Sequence, residues 1–279
     1  EVDATLVQSE HCKVAVEWFE NTYRKAYKEI EEHFEAYRIS DAMMALYRLF
    51  WDDFSGWYLE MVKPAYGSPA DAATVEATKR FFERLLQMLH PFMPFVTEEL
   101  WQHIAERKEG ESIMLSLFEE HKPYDEKMLA EVDLAREVVS AVRNIRAQRN
   151  IPNKEKVALE VIADENYHPA YNCLVEKMAN LSEIKVVEEK NPTAAAFIVK
   201  TTQYFVPMSE NINVEEELEK MHKELAYFEG FLRTVMGKLS NERFVANAPA
   251  AVVENEKNKQ RDAEAKIAAL KERINALAN

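Results

Sequence analysis

Residues 40–65 read SDAMMALYRLFWDDFSGWYLEMVKPA, and their apolar side chains return at steps of three and four. Met44, Tyr47, Trp51, Phe54, Tyr58, Met61 and Ala65 set the rhythm, and Met43, Leu46, Phe50 and Trp57 widen it. At helical pitch the apolar arc covers roughly 160°. A helix lying on one neighbour needs less, so the spacing predicts a long helix buried among several others, with the first half of the chain packed around it. Ser40 or Asp41 supplies an N-cap. Pro64 kinks or ends the helix, because an interior proline removes a hydrogen bond and clashes with the preceding turn. Gly56 sits mid-helix at about 1 kcal/mol relative to alanine, which points to close approach by a neighbouring helix.

The rest of the chain agrees with a helical class. Its 279 residues are 47% hydrophobic and 30% charged, with only five glycines, a mainly helical composition with room for two or three domains. No apolar run reaches the roughly 20 residues of a membrane span, and no secretory leader is visible. Cys12 and Cys173 are unpatterned, so neither a disulfide framework nor a zinc site is indicated and a reducing, cytoplasmic setting is expected. The first residue is Glu1, so the sequence is read as a piece of something longer.

Helical spacing recurs over residues 9–37, 72–90, 97–108 and 124–150, with HPFMPF (90–95) as a proline break and SIMLSLF (112–118) as a short extended stretch. On the last helix Leu134, Val138, Val142 and Ile145 form the buried side. Together these segments predict an antiparallel bundle of four to six helices. After Pro152 the period changes: VALEVIAD (157–164) alternates as a strand does, residues 168–181 are helical, and 184–189 and 195–208 are β-rich. The expectation is a small α+β unit with two to four strands. From residue 214 a heptad stripe begins with Leu218, Met221, Leu225, Phe228, Leu232, Val235 and Leu239. A second stripe runs from Val253 to Leu277, with Pro249 suited to its first turn. Two such stripes of similar length, joined by a turn, predict an antiparallel coiled-coil hairpin; a dimerisation zipper is the other reading. The predicted fold is mainly α. A helical bundle (1–155) is followed by a small α+β subdomain (156–208) and an antiparallel coiled-coil hairpin (209–279).

Chemistry is sparse. There is no glycine-rich phosphate loop, no HExxH and no CxxC, and the seven histidines show no ligand spacing. No catalytic or metal-binding residue is indicated. Charge is more informative. Residues 1–135 hold 27 acidic and 14 basic side chains, a net of −13, whereas residues 136–156 carry +4. In REVVSAVRNIRAQRNIP, Arg136, Arg143, Arg146 and Arg149 lie beside the apolar face of a helix that ends before Pro152. Arginine planes at the mouth of a bundle suit phosphates and splayed bases of single-stranded RNA loops. A solvated face paired with the acidic half of the bundle explains the same spacing.

Three motifs weigh in for RNA. LYRLFWDDFSGWYLEMVKP (46–64), LLQMLHPFMPFVTEELWQHI (85–104) and VRNIRAQRNIP (142–152) occur in this order. Together they resemble the anticodon-binding domain of class I aminoacyl-tRNA synthetases for branched aliphatic amino acids. The turn GKLSNERFVANAPAAVVENEK (237–257) is similar to the C-terminal arm of valyl-tRNA synthetase in particular. Gly56 departs from that pattern, in which an acidic residue usually precedes WYLE. The resemblance implies a C-terminal fragment without the catalytic signatures, which contributes tRNA recognition and orientation. In the parent enzyme the absent catalytic domain would join valine to tRNA(Val) using ATP and Mg, beside an editing domain. The fragment itself would hold no cofactor. It would receive the anticodon stem-loop on the bundle and the outer corner of the tRNA on the arm, and act as a monomer in contact with the catalytic and editing domains. Arg143, Arg146 and Arg149, with Lys63 as a further candidate, would face the anticodon side. Arg233, Lys238, Arg243 and Arg261 would serve the arm. The equivalent part of an isoleucyl or leucyl enzyme, and a helical protein-interaction module with no RNA role, remain alternatives.

Overall fold

The computed structural model describes residues 2–189, 194–207 and 214–240, and residues 253, 255–261, 263, 264, 266, 267 and 271. Among the described residues the fold is mostly helical, with two small sheets. The chain forms two compact units, Glu1–Pro207 and Met208–Asn279.

The first unit is built on two long rods. Helix α1 (Glu10–Glu35) buries Cys12, Ala15, Trp18, Phe19, Tyr23 and Ile30 along one face. It closes with the left-handed Tyr37 (φ 56°), while the amides of Tyr37 and Arg38 return to the carbonyls of Phe34 and His33. This paired closure satisfies the helix's last carbonyls. The second rod comprises α2 (Ile39–Tyr47), a π-helical stretch (Arg48–Tyr58) and α3 (Leu59–Val62). It stops two residues before Pro64, as its sequence predicts.

The rod differs from expectation in two ways. Met43, Met44, Tyr47 and Trp51 are exposed, so part of the expected core stripe faces solvent. Met43, Met44 and Tyr47 precede the π stretch, on a side of α2 that stands open; beyond them the register of the rod is changed by the π turns. Their i→i+5 hydrogen bonds break the three–four rhythm, and the buried series steps from Leu49 to Phe54 before Tyr58 and Met61. Gly56 also owes its place to this geometry and not to a neighbouring helix: a Cβ there would lie 3.3 Å from the Trp51 carbonyl oxygen, five residues back in the same rod.

The two rods enclose an aromatic core. Phe19 lies 5.0 Å from Tyr58, 5.3 Å from Phe54 and 4.9 Å from Phe81, ring centre to ring centre. Such tilted and edge-on pairs each add about 0.5–1.5 kcal/mol beyond burial. Phe81 belongs to α4 (Ala72–Leu89), whose first turn is held by the Asp71 carboxylate accepting from the Thr74 amide at 2.8 Å. Helix α5 (Pro94–Ile104) starts three residues earlier than its acidic first turn suggests, because Pro94 occupies the first helical position, where its missing N–H is no loss. Residues 112–118 are not a strand. Ser112 accepts from the Met114 amide at 3.2 Å and turns the chain into one 3-10 turn (Ile113–Leu115). Helix α6 (Glu126–Gln148) begins at Asp125, which caps the Met128 amide at 3.0 Å.

Beyond α6 the alternation of β3 (Val157–Ile162) places every second side chain inward. Helix α7 (Asn172–Ala179) carries the chain to β4 (Leu181–Val186), which pairs with β3 in parallel. Strands β5 (Ala195–Val199) and β6 (Thr202–Val206) form a hairpin, and β6 pairs antiparallel with β3. The sheet order is β4-β3-β6-β5, and a two-stranded parallel ladder of β1 (Val2–Asp3) and β2 (Ala70–Asp71) lies elsewhere in the unit.

In the second unit, α8 (Val214–Leu239) meets later helical residues in the opposite chain sense. Lys271 is 2.9 Å from Glu229, Lys238 is 3.5 Å from Glu256, and the Lys266 ammonium sits 4.9 Å from the Phe228 ring centre. Val235, Ala263 and Ile267 are buried there. Leu218 and Met221 of the heptad stripe have side chains outside the described residues, as does all of Arg243.

Candidate nucleic-acid interface

The cationic ridge forms where α6 runs out. Asn150 adopts the left-handed conformation (φ 53°) that ends a helix. The amides of Asn150 and Ile151 return to the carbonyls of Ala147 and Arg146, and Ile151 is buried. The chain then passes Pro152 into an exposed stretch, residues 152–156, before β3. Three arginines of α6, and Arg149 that caps its end, are thereby distributed among different environments.

Arg136 faces the rod. It lies 3.4 Å from Asp53 and 3.0 Å from Asp133, and its guanidinium stands over Trp57 (4.6 Å) and Trp18 (5.4 Å). Burial pushes the Asp53 carboxyl up to about 6, with Asp133 and Asp52 adding to the rise and Arg136 opposing it. Arg143, one face further along, donates from Nε and Nη2 to the Met178 carbonyl at 3.2 and 2.9 Å and stacks 5.8 Å from Trp57. The residue as a whole is exposed.

Arg146 departs from expectation. It is 3% exposed, and it donates to the Pro152 carbonyl at 3.1 Å and the Asn180 carbonyl at 2.9 Å. Its Nε has no partner among the described residues. Burial lowers its pKa from the usual arginine value, partly offset by Glu155. Asn180 is itself left-handed (φ 52°) and donates to the Asn153 and Glu155 carbonyls. Arg146 therefore ties the end of α6 to the α7–β4 junction and offers no surface charge to a ligand.

Arg149 is different. It is exposed, and its guanidinium has no hydrogen-bond or ion-pair partner among the described residues. Lys154 and Lys156, members of the same basic island with no role expected of them, share this state. Three free cations thus stand on the turn that follows α6. Lys63 is exposed but bonded to Glu60 at 2.8 Å. In the second unit Arg233 donates to the Glu229 carbonyl at 3.4 Å, and Arg261 to Asn258 Oδ1 at 2.7 Å.

A second feature lies on the rod, among residues expected in the core. Tyr47 and Trp51 are 55% and 59% exposed, with their rings stacked at 6.5 Å and 19°. Arg48 beside them holds Glu29 at 3.2 Å and remains half exposed. An exposed stacked pair beside a guanidinium is a platform that a nucleobase can extend. Among the described residues no group of three metal-ligating side chains occurs, and no helix is long and apolar enough to cross a membrane.

Residues 16–163 match the family described as the anticodon-binding domain of tRNA ligase, and residues 213–278 match the valyl tRNA synthetase tRNA binding arm. Valine–tRNA ligase of Parabacteroides distasonis is 52% identical over 276 residues, covering 99% of this chain and 31% of the relative. The Phocaeicola vulgatus ligase is 50% identical over 98% of this chain and 31% of its own length. A more distant relative, from Enterococcus faecalis, is 34% identical over 94% of this chain and 31% of its own length. The chain therefore spans about a third of the length of the relatives it matches.

Proposed function

The chain belongs to the anticodon-binding domain family of tRNA ligases and corresponds to the tRNA-binding region of bacterial valine–tRNA ligase, and from that premise we propose that it grips tRNA(Val) at two places. The helical part of the first unit receives the anticodon stem-loop. The second unit, as an antiparallel coiled-coil arm, supports the outer corner of the tRNA. Neither matched family is a catalytic one; joining valine to the tRNA with ATP and Mg is the work of the remainder of a full-length ligase. We take residues 1–155, 156–208 and 209–279 as the functional divisions, and a cytoplasmic monomer as the working state.

The observation that carries this reading is the free cationic turn of Arg149, Lys154 and Lys156 on an otherwise acidic unit. A polyanion gains from approaching there and is repelled elsewhere. Arg143 adds a guanidinium held by Met178 and Trp57. Tyr47 and Trp51 supply π-faces for unstacked bases. Arg146 is better read as the strut that fixes this end of α6. On the arm, Arg233, Lys238 and Arg261 are the described candidates, and Arg243 is proposed from sequence alone. The opposed contacts of Glu229 with Lys271 and Lys238 with Glu256 support a hairpin over a zipper. The arm holds 13 acidic and 11 basic side chains over residues 209–279, so its contacts must be local.

The test is a footprint of the 279-residue chain on tRNA(Val), with tRNA(Ile) as competitor. Protection of the anticodon loop and outer corner, with binding that weakens as salt rises, is expected. No binding at low salt would sink the proposal.

A further inference from the structure

The acidic side of the first unit carries an apolar surface that the tRNA reading does not use. Residues 105–125 are a long connection between α5 and α6, containing one 3-10 turn. Loops of this length in compact domains are uncommon, and they are usually either functional or linker segments. This one is fastened at both ends. Ser112 Oγ donates to Glu98 at 2.7 Å, the Ile113 amide donates to the same carboxylate at 3.2 Å, and Ile113 packs in a buried cluster with Leu86 and Trp101. At the other end the buried Arg84 guanidinium grips both Glu119 carboxylate oxygens at 2.7 Å. Burial works against the Glu119 charge, but Arg84 outweighs it and holds the carboxyl below its usual range. Phe118 stacks 5.9 Å from Tyr27.

Between these anchors Met114, Leu115 and Leu117 are 73%, 75% and 88% exposed. Phe95, one turn before Glu98 on α5, is 89% exposed. Here the chain is pinned on both sides of these residues while their side chains stand exposed, and such pinning lowers the cost of ordering the surface on association. Grouped exposed apolar residues mark interaction sites.

Charge selects the partner. Residues 93–120 hold seven acidic and two basic side chains, and one of the two, Arg107, is committed to Glu83 and to the Trp101 ring. A surface with that balance repels RNA. It fits a protein surface with an apolar centre and a basic rim. The relatives carry about two thirds of their length outside the region this chain matches, and that length is the nearest protein available.

We propose that Phe95, Met114, Leu115 and Leu117 form the seat on which the remainder of a valine–tRNA ligase chain docks. The inference rests on the ligase reading above, not on the anticodon contacts.

Amide hydrogen exchange of a full-length ligase carrying this region, compared with the 279-residue chain, tests it without a variant. The amides of residues 114–118 are expected to exchange about tenfold slower or more in the full-length protein; equal rates overturn the proposal. Leu115→Glu with Leu117→Glu should lower the melting temperature and charging rate of the full-length ligase while leaving melting and tRNA binding of the 279-residue chain unchanged. Slowing of these amides by tRNA in the isolated chain assigns the surface to RNA and overturns it. Self-association of the chain that the double variant abolishes assigns the surface to a second copy and does the same. Protected amides in a ligase whose isolated 279-residue part fails to bind tRNA(Val) support the docking seat and sink the anticodon reading, so the two stand or fall separately.

Discussion

Arg146 reaches from the last turn of α6 to the carbonyl of Asn180, 2.9 Å away, and thereby bolts the helical bundle to the sheet-bearing part of the first unit. Its other arm holds the Pro152 carbonyl at 3.1 Å. Removing it takes the charged donor from the Asn180 carbonyl and empties the buried slot that the side chain fills, while the Pro152 carbonyl keeps the Glu155 amide at 3.0 Å. Arg146→Ala is expected to destabilise the chain by about 2–4 kcal/mol, read as a fall in the urea midpoint. Arg146→Lys should recover little, since a point charge cannot serve both carbonyls as a planar fork does. The salt dependence of tRNA binding should be unaltered wherever Arg146→Ala remains folded; a flatter slope would return Arg146 to the RNA surface.

Arg149, Lys154 and Lys156 should behave in the opposite way. None has an internal partner among the described residues, so each alanine variant should stay within about 0.5 kcal/mol of the parent in stability. Each cation that pairs with a phosphate should, on removal, flatten the log–log salt dependence of tRNA binding by roughly 0.7–0.9. Filter binding across a salt series measures this. Unchanged slopes in the triple variant would remove the cationic turn from the interface.

Base stacking leaves another signature. Tyr47→Ala or Trp51→Ala removes a π-face from an exposed pair, and stacking contributes about 1–3 kcal/mol per base. Binding should weaken about 5- to 150-fold with the salt slope preserved, because no charge is removed. A variant that melts normally and binds anticodon stem-loop RNA with parental affinity would show that the rings face something else.

The sequence made some of this legible and hid the rest for identifiable reasons. Period and punctuation located α4, α6, β3 and the stop before Pro64, since each is written in local chemistry: an Asp71 cap, an Asp125 cap, strict alternation, a missing amide. The π turns were hidden because apolar spacing of three and four fits an α-helix equally well, and only the long step from Leu49 to Phe54 betrays them. Arg146 could have been placed. Val138, Val142 and Arg146 fall at intervals of four, so the arginine lies on the buried stripe of its own helix. Its charge suggested the surface, whereas its register pointed inward. The exposure of Tyr47 and Trp51 had no local signal, because an aromatic stripe reads the same whether a neighbour covers it or not.

Asp53 makes the stability of the first unit depend on pH. Its carboxyl titrates at about 6 in the fold against 3.8 unperturbed, chiefly because of burial. A raised folded-state value means that the unfolded chain binds fewer protons between the two, so this group's contribution falls as pH rises from about 4 to 6. Above that window the penalty is complete, at most about 3 kcal/mol, and reduced by the side chain's 23% exposure and by Arg136 at 3.4 Å. Asp53→Asn keeps the shape and a carbonyl for Arg136 while discarding the charge. The variant should be more stable than the parent by about 1 kcal/mol or more at pH 7, with the gap closing towards pH 4. Urea unfolding of both proteins at pH 4, 5, 6 and 7 measures it. A gap that is constant across that range would mean that Arg136 cancels the effect of burial, and a variant weaker at pH 7 that the ion pair outweighs it.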